Sequence, residues 1–363
     1  MRHLATFLPL IVFLSACSSK PTPPPEAPKG NPFKGGGFLL EPAHSGHLLS
    51  GDFAFNPATT RFVDKMVNEH GFDRQQLHDV LAQAQRLDWV LRLMDKQAPT
   101  PAATGPSVPN GAWLRYRNQF ITPDNVQNGV AFWNQYQDAL QRAWKLYGVP
   151  PEIIVGIIGV ETRWGRVMGK TRIIDALATL AFDYPRRAEY FTGELETFLL
   201  MARNEGNDPL SLRGSYAGAM GYGQFMPSSF KQYAIDFDGN GHVNLWDPVD
   251  AIGSVANYFK AHGWVKDGLV AVPALGQASS LKNGFNTRYS IATLQAAGLK
   301  PLSTLGGNEE ASLLRLDIGS GYQYWYGLPN FYTITRYNHS THYAMAVWQL
   351  GEAVGRARLG GAY

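Results

Sequence analysis

The stretch PPEIIVGIIGVETRWG, residues 150–165, constrains this chain more than any other. Pro151 suits the first turn of a helix, and Gly165 falls where a C-terminal cap is expected. Between them Ile153, Ile154, Val155, Ile157, Ile158 and Val160 are apolar on nearly every side. Such a helix cannot lie on a surface; other elements must wrap it on all sides. The chain can supply that wrapping, since 45% of its 363 residues are hydrophobic and only 17% are charged, which excludes disorder throughout and suggests two or three domains.

One carboxylate, Glu161, ends the apolar run. It sits in the last helical turn, where both the helix dipole and burial disfavour negative charge, so its pKa is expected to rise. A carboxyl kept protonated near neutrality is what general-acid cleavage of a glycosidic bond requires. A structural ion pair with Arg163 or Arg166 explains the same stretch equally well. More residues are needed to choose.

Fifty residues on, RGSYAGAMGYGQFMPSSF crowds glycine and other small residues ahead of Gln224, Phe225, Met226 and Pro227. Small residues let a backbone approach a ligand closely, and the Gln224 amide can donate and accept at once, which suits sugar hydroxyls and acetamides. As structure alone it is a glycine-rich loop entering a helix near Pro227. Its spacing fits neither a dinucleotide fingerprint nor a phosphate-binding P-loop.

DFDGNGHVNLWDPVD, Asp236 to Asp250, places Asp236, Asp238 and Asn240 at alternate positions with Gly241 next, as in an EF-hand calcium loop. His242 would contribute its backbone carbonyl. Position twelve is Asp247 where a bidentate Glu is expected. Asp247 precedes Pro248 at a helix start and is suited to capping, which makes Asp250 the better closing ligand. An ion here would be structural; an Asx-rich turn without an ion is the plainer alternative.

Around these motifs the chain divides readily. MRHLATFLPLIVFLSAC has Arg2 before an apolar stretch too short to span a bilayer, so residues 1–17 read as an export signal. Cys17 is the only cysteine, which rules out an internal disulfide or a thiol metal cluster. Leu14-Ser15-Ala16-Cys17 resembles a bacterial lipobox, with Cys17 the lipidated residue and Ser18 favouring the outer membrane. Residues 18–50, rich in Pro, Gly, Lys and Ser, read as a tether. Folding should begin near Asn56, with one helix bearing Phe62, Val63, Met66 and Val67 and ending at Gly71, and a second starting at Asp73. After a loop over 98–111, one long helix is expected from the Thr122 N-cap to Gly148, with Val126, Val130, Trp133, Leu140 and Trp144 on one stripe. Between about Val265 and Asn330 turn residues rise, and ASLLRLDIG alternates Leu314, Leu316 and Ile318 with Arg315 and Asp317, as a half-buried strand would. The C-terminal HYAMAVWQLGEAVG returns to helical spacing and should pack on the helical core. The formal charge of +3 is mild and no dense basic stripe appears, so nucleic acid is a poor partner.

Together ETRWG, GAMGYGQFMPSS, DPVDAIGSVANYF and PNFYTITRYN resemble the B-type lytic murein transglycosylases, glycoside hydrolase family 103, over nearly everything from residue 50 onward. The resemblance implies a mainly α (α+β) fold: a lysozyme-like catalytic core over 146–265 completed by 329–363, an N-terminal helical domain over 51–145, and a small β-rich insertion over 266–328. It implies that Glu161 is the only catalytic carboxylate, protonating the glycosidic oxygen between N-acetylmuramic acid and N-acetylglucosamine. The same group then takes the proton from the muramyl C6 hydroxyl, leaving a 1,6-anhydro end with help from the muramyl N-acetyl group. Two-carboxylate glycosidases need a second acid; Asp175 and Asp183 lie nearest downstream and are given no role. By matching motif Ser215 should hydrogen-bond the catalytic carboxyl, and Gln224, Phe225, Met226, Tyr116, Tyr258, Tyr337 and Asn338 should line the glycan cleft. Arg186 and Arg187 would meet muropeptide carboxylates. The family's metal loop, three residues longer than an ordinary EF-hand, ends at the aspartate matching Asp250, implying structural Ca²⁺ and no organic cofactor. The implied partners are peptidoglycan strands, the outer membrane through the lipid on its periplasmic face, and peptidoglycan synthases or division proteins. A hydrolytic muramidase, a non-catalytic wall-binding lipoprotein and a calcium sensor are the competing readings.

Overall fold

The computed structural model describes residues 50–97, 108–278 and 280–362. The export signal, Cys17 and residues 18–49 of the tether lie outside the described residues. Fourteen α-helices and seven short strands are present among the described residues, a mainly α architecture as expected. No single helix there is long and apolar enough to cross a membrane.

The N-terminal helices are α1 (Pro57–His70), α2 (Arg74–Ala82), α3 (Asp88–Lys96), α4 (Ala112–Arg117), α5 (Pro123–Gln135) and α6 (Gln137–Tyr147). Local chemistry explains their starts: Asn56, Asp73 and Thr122 each accept from a backbone N–H of the first turn, and Pro57 and Pro123 need no partner for a missing one. Gly71, at φ 63°, ends α1 as anticipated. The single long helix expected over 122–148 is instead two, broken at Tyr136 (φ −112°, ψ 26°). No proline or glycine forces the break. The halves pack on different partners, α5 on α14 (Thr341–Arg358) and α6 on α11 (Pro248–Ala261), and tertiary packing overrides the helical pattern.

Helix α7 (Pro151–Thr162) lies at the centre, with every residue from Ile153 to Val160 buried. It is surrounded by α5, α6, α11 and α14. It ends earlier than Gly165: Arg163, Trp164 and Gly165 all take positive φ (50°, 56° and 84°), so Arg163 is the cap residue. Helices α8 (Ile173–Asp183) and α9 (Ala188–Asn204) pair beside it, with α10 (Pro227–Tyr233) on α9. Strands β1 (Thr171–Arg172) and β2 (Arg213–Gly214) form an antiparallel pair that ties the start of α8 to the glycine-rich loop.

The predicted β-rich insertion is an antiparallel five-stranded sheet in the order β4-β6-β7-β3-β5: β3 (Ala271–Leu275), β4 (Tyr289–Ser290), β5 (Lys300–Pro301), β6 (Glu310–Asp317) and β7 (Tyr322–Gly327), with α12 (Ile291–Ala296). Strand β6 keeps the expected alternation from Leu314 to Asp317 but buries its other face as well at Ala311 and Leu313. Leu314 and Leu316 join the main core, while Ala311 and Leu313 join a smaller one with Val272, Leu294 and Tyr326. Its last residue, Asp317, accepts from the N–H groups of Asn110 (2.9 Å) and Gly111 (2.8 Å), which fixes the start of α4 and pulls the Asp317 carboxyl down to about 2. Helix α13 (Pro329–Tyr337) leads to α14, which returns onto α7 as the helical spacing of HYAMAVWQLGEAVG predicts.

Candidate active site

Glycine sets the distance between α7 and α14. A Cβ at Gly156 would stand 2.3 Å from the Val347 carbonyl oxygen, and one at Gly351 would stand 2.0 Å from that of Glu152, so only glycine lets these backbones cross so closely. That crossing carries Tyr343, one turn toward the N-terminus of α14, to the end of α7. Its hydroxyl donates to Glu161 Oε1 at 2.5 Å.

Burial pushes the Glu161 carboxyl up to about 7, and the Tyr343 hydrogen bond opposes that rise. The residue stays partly exposed, so a substrate can reach a carboxyl whose surroundings are otherwise buried. Neither Arg163 nor Arg166 contributes to the shift, which tells against Glu161 as a simple ion-pair partner. The phenols of Tyr116, Tyr337 and Tyr343 are raised first by burial and then by the Glu161 charge, placing all three in its field.

The turn after α7 connects to the glycine-rich loop. Thr162 Oγ1 lies 3.0 Å from the Tyr222 carbonyl oxygen and accepts from Gly165 N–H at 3.1 Å. A Cβ at Gly165 would meet the Tyr222 ring at 2.4 Å. ETRWG and GAMGYGQFM, sixty residues apart at Thr162 and Tyr222, thus form one structure.

Within that loop Ser215 departs from expectation. Its Oγ accepts from Ala217 N–H (3.3 Å) and Ala219 N–H (2.9 Å), shaping the turn, and the carboxyl of Glu161 takes its hydrogen bond from Tyr343 instead. Gln224, at φ 52°, donates its side-chain amide to the carbonyls of Gly221 (2.9 Å) and Met168 (3.3 Å). Phe225 and Met226 are core residues more than cleft lining, at 2% and 5% exposure. The Phe225 ring stands 5.8 Å from Tyr258 and 5.9 Å from Tyr337. Tyr258 stacks on His262 at 3.9 Å and donates to Arg336 O, while Tyr337 donates to Gly223 O at 2.5 Å. Asn338 is buried at the end of α13, with no partner for its Oδ1. Tyr116 packs between Phe120 and His342.

Other candidates sit elsewhere in the framework. Arg186 is exposed and 3.9 Å from Asp95; Arg187 lies over the Tyr190 ring, its guanidinium 4.3 Å from the centroid. Asp175 accepts from Gln85 N–H and Arg172, and Asp183 from Asn56 and Arg86, so both tie the N-terminal helices to α8. Sequence reasoning missed Tyr343, Thr162 and Glu194. Glu194, buried on α9, accepts from Ser228 N–H (2.8 Å) and Oγ (2.6 Å) and so holds the first turn of α10 directly after Met226. An acid between Phe191, Leu195 and Phe198 on a core face was its only signal.

Between α10 and α11 the acidic loop gathers Asp236, Asp238 and Asp250, whose carboxylate oxygens lie within 4.8 Å of one another. Asp236 accepts from the N–H groups of Gly239, Asn240 and Gly241, which lower its pKa. Asp250 is fully buried and accepts from Phe237, Asp238 and Asn244 N–H. Asp247 is occupied otherwise, capping α11 through Val249 N–H at 2.7 Å. The Asn240 side chain reaches Asp238, and the His242 ring points toward Glu205, 3.8 Å away. Three converging carboxylates, one wholly buried, fit a hard divalent cation with oxygen ligands.

Comparison with known proteins agrees with this geometry. Residues 54–352 match the model of the transglycosylase SLT domain. The chain is 74% identical over 359 residues to the membrane-bound lytic murein transglycosylase B of Escherichia coli, covering 99% of both chains. Its fold is similar to the E. coli lytic transglycosylase SLT35 in complex with bulgecin A, at a TM-score of 0.84 and 75% identity over 88% of this chain and 100% of that one. The same enzyme in complex with calcium matches at 74% identity, a TM-score of 0.84 and the same coverage. With its acid-bearing helix, its glycine-rich loop and its whole described length accounted for, the chain belongs to the transglycosylase SLT domain family, as a lytic transglycosylase of peptidoglycan.

Proposed function

We propose that Glu161 serves as acid and then base in cleaving the β-1,4 bond between N-acetylmuramic acid and N-acetylglucosamine. The protonated carboxyl gives its proton to the glycosidic oxygen as the C1–O bond breaks. The resulting carboxylate takes the proton of the muramyl C6 hydroxyl, whose oxygen bonds to C1 and closes a 1,6-anhydro ring. No proton is gained or lost over the cycle, so one residue suffices. The observation that carries this reading is Glu161 itself: a largely buried carboxyl, raised to about 7, whose Oε1 accepts the Tyr343 hydrogen bond. Tyr343 occupies Oε1 and stabilises the carboxylate formed midway, leaving Oε2 to handle the proton. Apolar walls from α7 keep water from competing with the sugar hydroxyl.

Gln224, Tyr116, Tyr258, Tyr337 and Asn338 are proposed to contact the glycan, with Phe225 and Met226 supporting them from beneath. Exposed Arg186 is available to stem-peptide carboxylates; Arg187 is engaged with Tyr190. Asp236, Asp238, Asn240, the His242 carbonyl and Asp250 would hold Ca²⁺, as the calcium complex of the E. coli relative supports. The ion would supply charge neutralisation, joining α10 below the glycine-rich loop to α11, which carries Tyr258. Residues 146–265 with 329–363 form the proposed catalytic core, 51–145 its helical flank and 266–328 its β-rich insertion. The membrane-bound relative supports lipidation at Cys17 and attachment to the periplasmic face of the outer membrane, with the wall's synthesis or division machinery as the protein partners.

Mass spectrometry of muropeptides from a murein digest tests the chemistry. Anhydro-muramyl ends are expected; reducing muramyl ends would mean hydrolysis instead.

A further inference from the structure

A cavity of about 440 Å³ opens on the face of α14 turned away from Glu161, between α4, α14 and β7. Trp113, Trp325 and Trp348 line it together with Arg117, Gln349 and Arg356. Trp325 and Trp348 are half-buried and set edge to face, their centroids 5.7 Å apart at 90°, so the pair presents indole surface at two orientations. Arg117 Nε donates to Gln349 Oε1 at 2.9 Å, which holds its guanidinium in place. Arg117 is half-buried and its pKa is lowered by burial and by the positive charge of Arg356, so the two guanidinium groups share one neighbourhood. Glu352 is the one acid on the wall, and none of the three forms an ion pair among the described residues. Two like charges held together beside indole rings suit a ligand that brings a carboxylate and an apolar ring face.

The same two helices serve the catalytic centre. Helix α4 turns Tyr116 toward Glu161 and Trp113 toward the cavity, with those two rings stacked 6.5 Å apart. Helix α14 presents Tyr343 to Glu161 and, from Trp348 to Arg356, one wall of the cavity.

We propose that the cavity is an accessory site for peptidoglycan, binding a muramyl unit with its sugar face on Trp325 and Trp348 and its stem-peptide carboxylate on Arg117 and Arg356. The proposal rests on peptidoglycan being the substrate, since that polymer carries an acylated sugar and a carboxylate on the same repeat.

Muramyl dipeptide is the probe, titrated into the folded Glu161→Gln protein while the indole N–H resonances are followed by NMR. The Trp325 and Trp348 indoles should shift on titration. Arg356→Glu, a change on an exposed residue, should weaken that response about tenfold, the loss of one charge-assisted hydrogen bond. Chitotetraose, which lacks the carboxylate, should bind both proteins alike. Immobile Trp325 and Trp348 indoles, or equal affinity of Arg356→Glu for muramyl dipeptide, would overturn the site. Digestion of murein by the unaltered protein is read separately: anhydro products without indole shifts remove the accessory site alone, whereas absent products remove the catalytic reading.

Discussion

The hydroxyl of Tyr343 on α14 donates to Oε1 of Glu161 on α7 at 2.5 Å, across 182 residues of sequence and one close helix crossing. The bond favours the charged carboxyl, whereas burial favours the protonated one and prevails. An acid that must act twice needs both influences: enough burial to hold a proton at neutral pH, and enough stabilisation to part with it.

Tyr343→Phe removes the donor while keeping the ring. The Glu161 pKa should then rise further, turnover should fall roughly tenfold for one lost charge-assisted hydrogen bond, and KM should change little. Steady-state kinetics on soluble muropeptides check this; unchanged kcat with raised KM would assign Tyr343 to binding.

Activity should depend on pH through the same group. The acid is competent only when protonated, so kcat/KM should fall as pH rises through about 7, with the slope of one proton. Stability follows with a definite sign. The folded pKa lies above the ordinary value near 4.5, so stability is full below pH of about 4.5 and is lost as pH rises through about 7. Glu161→Gln carries no such loss. It should match the parent's stability at pH 4 and exceed it at pH 8 by on the order of 2 kcal/mol, with a correspondingly higher melting temperature. Equal melting temperatures at both pH values would contradict a buried, raised carboxyl.

Calcium should raise the melting temperature in proportion to the logarithm of its concentration above Kd. Chelation should reverse the gain, and Asp236→Ala should abolish it. Asp247→Asn should keep most of it, because Asp247 caps α11 and an asparagine caps nearly as well. A calcium response lost in Asp247→Asn but kept in Asp250→Asn would reverse the assignment of the closing ligand.

Much of this was legible because the causes are local. Asn56, Asp73 and Thr122 announce their helices by accepting from the next few N–H groups, and α7 announces its burial by having no polar side chain from Ile153 to Val160. The break at Tyr136 was not legible, since helical spacing continues through it and only the packing of α5 and α6 on different partners interrupts it; the end at Arg163 was not legible either, because a left-handed arginine cap gives no sequence signal as glycine does. The site shows the same division. Glu161 could be singled out by its own neighbours, and Asp236, Asp238 and Asp250 by their spacing. Tyr343 and Glu194 could not, because each acquires its role from a partner on another helix.

Glu161→Gln tested on purified murein bears most directly on the central claim. The substitution keeps the shape and the acceptor for Tyr343 but has no proton to transfer. A folded variant that still binds murein and releases no anhydro-muropeptides is the predicted result; anhydro-muropeptides released at the parental rate would contradict it.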